Sequence, residues 1–201
     1  MNKTTNLSKL LFNLPENASE AVIDVNFASV LLNALGFEDQ EIYPQYPDGN
    51  GKFVDRAARK TVGDDVFLFT KTNPYLLLEL KGKEINLAQG SPQYNSTVKQ
   101  LKQYLLAPNC RQAQWGMITN SIHLQLFRRH GKVVFPASEC ISLEEGNIDE
   151  IIADFRRQIE KRNQALTITV YNNKGGVGKT TTSVNMAATL TLKRKYDRVF
   201  A

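Results

Sequence analysis

Two groups of residues in this chain could do chemistry. The first is built on Asp55, Glu79 and Lys81. In Tyr75-Leu76-Leu77-Leu78-Glu79-Leu80-Lys81 an apolar run carries a carboxylate and an ammonium. On a strand, positions 79 and 81 point to the same face. Asp55 lies upstream in Gly51-Lys52-Phe53-Val54-Asp55, and pairing of the two strands would bring it beside Glu79. Two carboxylates and a nearby backbone carbonyl suit Mg²⁺, a hard cation with oxygen ligands. A lysine beside that metal can orient or deprotonate a water for attack on a phosphodiester. The same tripeptide Glu-x-Lys also serves as a plain ion pair at a strand end. Asp64 and Asp65 compete with Asp55 for the metal role, but Gly63-Asp64-Asp65 reads as turn chemistry, and the strand position favours Asp55.

The second group is the run Asn172-Asn173-Lys174-Gly175-Gly176-Val177-Gly178-Lys179-Thr180-Thr181-Thr182. A triphosphate needs several donors converging on it without side chains in the way. Consecutive glycines turn backbone N–H groups inward, and a following helix N-terminus adds its positive end. Lys179 would meet the β and γ phosphates, and the Thr180 hydroxyl would face Mg²⁺. Leu166 to Tyr171 alternates as a buried strand would, and Ser183 to Leu192 is helical in pattern, so the order is strand, glycine loop, helix.

The elements that must position the first group form a mixed α/β pattern. Ile23, Phe27, Val30, Leu31 and Ala34 recur at helical spacing with Glu20 in line, and Gly36 follows as a C-cap, which predicts a helix over 19–35. Lys52 to Arg59 and Val66 to Thr70 predict short strands, and Tyr75 to Leu80 a central strand after the Asn73-Pro74 turn. Val98, Leu101 and Leu105 predict a helix after Ser96, ended by Pro108. Trp115 to Ile118 and Leu124 to Phe127 predict two more strands, with Trp115 in the core. Asn147 with Glu150 predicts a capping box opening a helix through Ile151, Phe155 and Ile159.

With these residues in order, the first segment resembles the PD-(D/E)XK nuclease superfamily, especially the N-terminal nuclease domain of type I restriction enzyme R subunits. The likeness runs over roughly 18–130, with helix, strand with Asp, strand with Glu-x-Lys, and helix with Gln and Tyr in sequence. It implies a restriction-endonuclease-like central sheet flanked by helices, with Asp55 and Glu79 as metal ligands and Lys81 acting on water. It further implies Glu20 as a supporting acid and Gln100 and Tyr104, one turn apart on one helix face, orienting the substrate backbone. Thr119-Asn120 resembles the turn of the restriction subunits, and Val54 stands where proline usually precedes the first acid. Arg56, Arg59 and Lys60 could contact DNA phosphates.

The run KGGVGKTTT resembles the deviant Walker A of the ParA and MinD family of partition ATPases, with Asn173 where the strict pattern has Gly. That likeness covers about 165–201. It implies ATP with Mg²⁺ held by Lys174, Gly175, Gly176, Val177, Gly178, Lys179, Thr180 and Thr181. It also implies a homodimer in which Lys174 reaches across the nucleotide. Val199-Phe200-Ala201 reads as the opening of a second strand, so a truncated β-P-loop-α unit is expected, without ATP turnover by these 201 residues.

Composition bounds the rest. The chain has 201 residues, 42% hydrophobic and 22% charged, which is globular and excludes full disorder. Cys110 and Cys140 have no metal spacing with His123 or His130 and are too few for a disulfide framework. No apolar run reaches the length of a membrane span, and Met1 to Leu14 lacks the pattern of a signal peptide, so a cytoplasmic protein is expected. The net charge of +5 belongs to residues 164–201, where 6 Lys and Arg face 1 acid, whereas residues 1–163 carry 19 of each. The expected organisation is therefore a nuclease-like domain, 1–163, and an ATPase fragment, 164–201. The expected activity is Mg²⁺-dependent hydrolysis of DNA, with a bacterial origin implied by resemblance alone. A non-catalytic DNA-binding or interaction module of a partition-type ATPase is the rival reading, and an ATPase with a structural N-terminal domain the third.

Overall fold

A computed structural model describes residues 4–161 and 168–192, with side chains from Leu7 to Lys161 and from Ile168 to Thr189. The chain falls into two compact units, Met1–Lys161 and Arg162–Ala201. The first is a mixed α/β unit around a sheet of seven strands flanked by helices.

Its elements are α1 (Thr4–Asn13), α2 (Glu20–Ile23), a π-helical stretch (Asp24–Ala28), α3 (Ser29–Ala34), β1 (Ile42–Pro47), β2 (Phe53–Ala58), α4 (Phe67–Thr70), β3 (Leu76–Leu80), α5 (Pro92–Leu105), β4 (Trp115–Thr119), β5 (His123–His130), β6 (Val133–Pro136), β7 (Ile141–Ser142) and α6 (Ile148–Glu160). The strand order is β1-β2-β3-β4-β5-β6, with β7 also paired to β5. All neighbours are antiparallel except β3 and β4, which α5 connects as a crossover. All five residues of β3 are buried, as expected of a central strand covered on both faces.

Two apolar layers sandwich the sheet. On one face Ala58, Leu76, Leu78, Leu80 and Met117 pack with Ile23, Phe27 and Leu31 and with Ile152 and Phe155 of α6. On the other, Leu77, Ile118 and Phe127 meet Leu101, Tyr104 and Leu105 of α5. Gly116 of β4 allows this close approach, because a Cβ there would lie 2.8 Å from the Leu105 side chain.

Several expected elements differ. Val66 to Thr70 is not a strand: Phe67–Thr70 is one helical turn, and Phe67 packs beneath it on Tyr46. The turn is anchored by Arg59, which holds Asp65 bidentately at 2.6 and 2.7 Å and also donates to Thr70 Oγ1. The helix of Gln100 starts earlier than expected, at Pro92, with the Ser91 hydroxyl accepting from Tyr94 N. Asn147 caps no N–H of α6 through its side chain, so no capping box forms; its amide instead accepts from Glu144 N and donates to Ser142 O. Such a box does occur at Glu38 and Glu41. Strands β1, β6 and β7 and helix α1 were not expected.

In the second unit the glycine loop leads into α7 (Lys179–Leu192), which begins earlier than the expected Ser183. Of the strand expected over 166–171, residues 166 and 167 lie outside the described residues and 168–171 form no strand. A strand needs a hydrogen-bonding neighbour, and none pairs with it among the described residues. The expected strand at Val199 to Ala201 also lies outside them.

Candidate functional site

The expected residues of the first group meet where β3 ends. The pairing of β2 with β3 runs from Ala58↔Leu76 to Arg56↔Leu78, so Asp55 and Glu79 occupy the next step of the register. There the Asp55 side chain replaces a backbone acceptor, with Leu80 N donating to Asp55 Oδ2 at 2.7 Å. On its other side, the pairing with β1 passes from Pro44↔Arg56 to Tyr46↔Val54, and Gln45, at the step between, has φ of 48°. Ala57 and Val54 both pack on the α5 side, so the alternation of β2 is reset at Asp55.

Glu79 is only 1% exposed, on the face of β3 that meets α5. Lys81 continues that face, and its Nζ donates to Glu79 Oε1 at 2.6 Å and to Leu80 O at 2.8 Å. Glu20, at the start of α2, brings Oε2 to 3.5 Å from the same ammonium. Glu79 Oε2 is buried with no hydrogen-bond partner. Burial first, then the charge of Asp55, pushes the Glu79 carboxyl up to about 8, against the opposing pull of Lys81. Asp55 is raised as well, mainly by burial, although the Leu80 N–H works the other way. Lys81 is raised: burial opposes its charge, and the Glu79 carboxylate beside it outweighs that.

On the α5 side, Gln100 Nε2 donates to the Tyr104 hydroxyl at 3.0 Å. Tyr104 is buried, which raises its phenol, and the charges of Glu79 and Asp55 add in the same direction. The hydroxyl therefore lies within the electrostatic reach of both carboxylates. The structure thus gathers Glu20, Asp55, Glu79 and Lys81 at one strand end, and carries Gln100 and Tyr104 on α5, the helix packed on the same face of the sheet.

The basic residues after Asp55 each pair with an acid of the first unit. Arg56 holds Asp24 bidentately at 2.7 and 2.9 Å, Arg59 holds Asp65, and Lys60 pairs with Glu41 at 3.0 Å. Their charges are compensated within the chain. Asp65 is drawn down to about 2 by Arg59, so the competing carboxylate is committed to a structural pair. Asp24 was not singled out in the sequence. It opens the π-helical stretch four residues after Glu20 and ties that helix to β2 beside Asp55. Only the widened helical turn hints at it locally. Thr119 and Asn120 shape the turn after β4: Asn120 Oδ1 accepts from Ile122 N and His123 N, and its Nδ2 donates to Ile85 O.

Among the described residues no group of three or more His, Cys, Asp and Glu side chains is arranged to hold a metal. Two hard oxygen donors do converge, and the unpartnered Glu79 Oε2 is the kind of atom a divalent cation satisfies. Asp55 and Glu79 therefore fit Mg²⁺ as a carboxylate pair.

In the glycine loop, Gly176 and Gly178 have φ of 71° and 78°, a conformation other residues resist. Lys179 Nζ donates back to Lys174 O at 2.7 Å, and Lys174 N donates to Asn172 Oδ1 at 2.9 Å. The Tyr171 hydroxyl meets Asn173 Oδ1. A Cβ on Gly175, Gly176 or Gly178 would meet nothing within 4 Å among the described residues, so packing within this segment does not demand the glycines. Open glycine backbone, the first amides of α7 at Thr180 and Thr181, and the Lys179 ammonium suit a polyphosphate.

The family model described as an AAA domain matches residues 165–200, a range that spans this loop and α7 and is compatible with an ATPase part. No curated protein and no solved structure matches the chain. Among the described residues no helix is long and apolar enough to cross a membrane.

Proposed function

We propose that the first unit is a nuclease-like domain that hydrolyses phosphodiester bonds in DNA with Mg²⁺, and that the second unit binds ATP. The observation that carries the first part is the buried Glu79, with Lys81 on one oxygen and the other oxygen unpartnered, on the strand that pairs with the strand of Asp55. Asp55 and Glu79 would hold the cation, which would supply Lewis-acid stabilisation of the phosphate charge and ease deprotonation of water. Lys81 holds and orients the attacking water, and Glu20, paired with the same ammonium as Glu79, helps fix its position. Gln100 and Tyr104, joined to one another, orient the substrate backbone from the α5 side. In the second unit Lys174, Gly175, Gly176, Val177, Gly178, Lys179, Thr180 and Thr181 surround the triphosphate, and ATP-dependent pairing of two chains through Lys174 follows from the likeness to partition ATPases.

A second reading is favoured by one observation. Asp55 caps Leu80 N and Glu79 pairs with Lys81, so the polar groups also serve a structural role, as in a non-catalytic DNA-binding module. Plasmid nicking with Mg²⁺ or Mn²⁺ separates the two. The chain is expected to cut, and Glu79→Ala and Lys81→Ala to lose cutting by about 10²-fold or more. Equal cutting by all three would remove the nuclease reading.

A further inference from the structure

The neutrality of residues 1–163 hides a division. From Ile85 to Ser138 the chain holds six Lys and Arg and neither Asp nor Glu, leaving 13 cationic and 19 acidic residues in the remainder of 1–163. In the fold this block is α5, β4, β5 and β6: one helical layer and one end of the sheet. The six cations are Lys99, Lys102, Arg111, Arg128, Arg129 and Lys132. None of them takes part in an ion pair among the described residues, whereas Arg56, Arg59, Lys60 and Lys81 are each paired with an acid.

The unpaired charges lie on α5, on the loop after it and on the β5–β6 hairpin. Lys99 is exposed on the outer side of α5, Lys102 lies one turn on, and Asn95, Ser96 and Gln103 are exposed beside them. Arg129 donates to Arg111 O at 2.9 Å and to Gly131 O at 2.8 Å, which joins the loop after α5 to the tip of the β5–β6 hairpin. Exposed Arg111 and Lys132 therefore flank one patch. Arg128 stacks over Trp115, 4.2 Å from the ring, and donates to Gln114 Oε1, so its bonds are used but its charge is not cancelled. Lysine, arginine, amide and hydroxyl side chains are the donors that meet phosphate oxygens. A block of six cations with no acid in its own sequence, none of them ion-paired among the described residues, matches an extended polyanion.

We infer that α5 and the β5–β6 hairpin form the docking surface for the phosphate backbone of duplex DNA, and that this surface leads the strand to the Gln100–Tyr104 side of the carboxylate pair. Its link to cutting rests on the nuclease reading; the binding itself does not. The test is an anisotropy titration of the 201-residue chain against a labelled DNA duplex over a salt series in EDTA. Two double variants, Lys99→Glu/Lys102→Glu and Arg111→Glu/Lys132→Glu, are compared with Lys9→Glu/Lys161→Glu. The last pair carries the same charge change on α1 and at the end of α6, on the opposite layer.

Each cation that neutralises a phosphate adds about 0.9 to the slope of log affinity against log salt, so each test variant is expected to flatten it by about 2. The control is expected to leave it near that of the natural chain. Alanine at the same pairs is expected to flatten it in the same direction, and a melt of each variant separates lost binding from lost folding. An equal effect of the control pair, or equal competition by polyglutamate and by unlabelled DNA, would show bulk attraction and overturn the inference. An unchanged slope in both test variants would do the same. Cutting by Glu79→Ala with Mg²⁺ is read in parallel: undiminished cutting with flattened slopes removes the nuclease reading and leaves the docking surface standing.

Discussion

Glu79 sets up a conflict that other residues must manage. A carboxylate in an apolar strand is costly to ionise, and here a second acid stands across from it at the same step of the register. Lys81 relieves part of that cost on one oxygen, and the other oxygen remains open. The sign of the pH dependence follows. Since the folded carboxyl is lifted from 4.5 to about 8, the folded chain keeps a proton in that window which the unfolded chain has released. Stability from this group is therefore highest near the lower end and is lost as the pH rises through about 8. Thermal melts in EDTA should fall from about pH 5 to about pH 9 more steeply for the natural chain than for Glu79→Gln. Mg²⁺ should flatten the difference, because it favours the ionised form. Parallel curves for the two proteins would contradict the burial argument. Lys81→Met tests the ammonium separately: it keeps the length of the side chain, so DNA binding should persist while cutting falls about 10²–10⁴-fold. An equal loss of binding would mean that Lys81 acts on the substrate charge and not on water.

At the scale of elements, the site depends on how closely α5 lies on β4. An added methyl at Gly116 would stand 2.8 Å from Leu105 Cδ1 and 3.0 Å from Leu101 Cδ2. Gly116→Ala should thus cost about 1–3 kcal/mol and push outward the helix that carries Gln100 and Tyr104. The melting temperature should fall and recover in part when Leu105→Val is added; no recovery would mean the strain lies elsewhere. Sequence patterning reached this layer because α5 has a helical period and β3 is a continuous apolar run. It failed where tertiary contact decides. Val66 to Thr70 has strand-like residues, but Arg59, reached only by folding, fixes the turn around Asp65 and Thr70. β1 contains Pro44 and Pro47 and a left-handed Gln45, a loop-like composition that an edge strand tolerates. Strand alternation and strand pairing, with the resemblance, pointed to Asp55, Glu79 and Lys81. Asp24 was not legible, because its partner Arg56 lies 32 residues away.

For the whole molecule, the distribution of buried residues makes a clear division. Among the described residues every buried hydrophobic side chain lies between Leu7 and Ile159, and both apolar clusters fall inside that span. None of the described residues from 168 to 189 is buried. The first unit therefore has a complete two-sided core of its own, within a chain length at which a single domain is stable alone. Residues 1–161 produced without the remainder should melt in one cooperative transition within a few degrees of the 201-residue chain. They should also retain whatever metal-dependent cutting the longer chain has, since Glu20, Asp55, Glu79, Lys81, Gln100 and Tyr104 are all included. Lys179→Ala in the longer chain should remove ATP binding, measured by calorimetry, without shifting that melt. A broad, non-cooperative transition for 1–161 would show that the glycine-loop segment contributes to the core after all, and the two activities would then have to be treated as one.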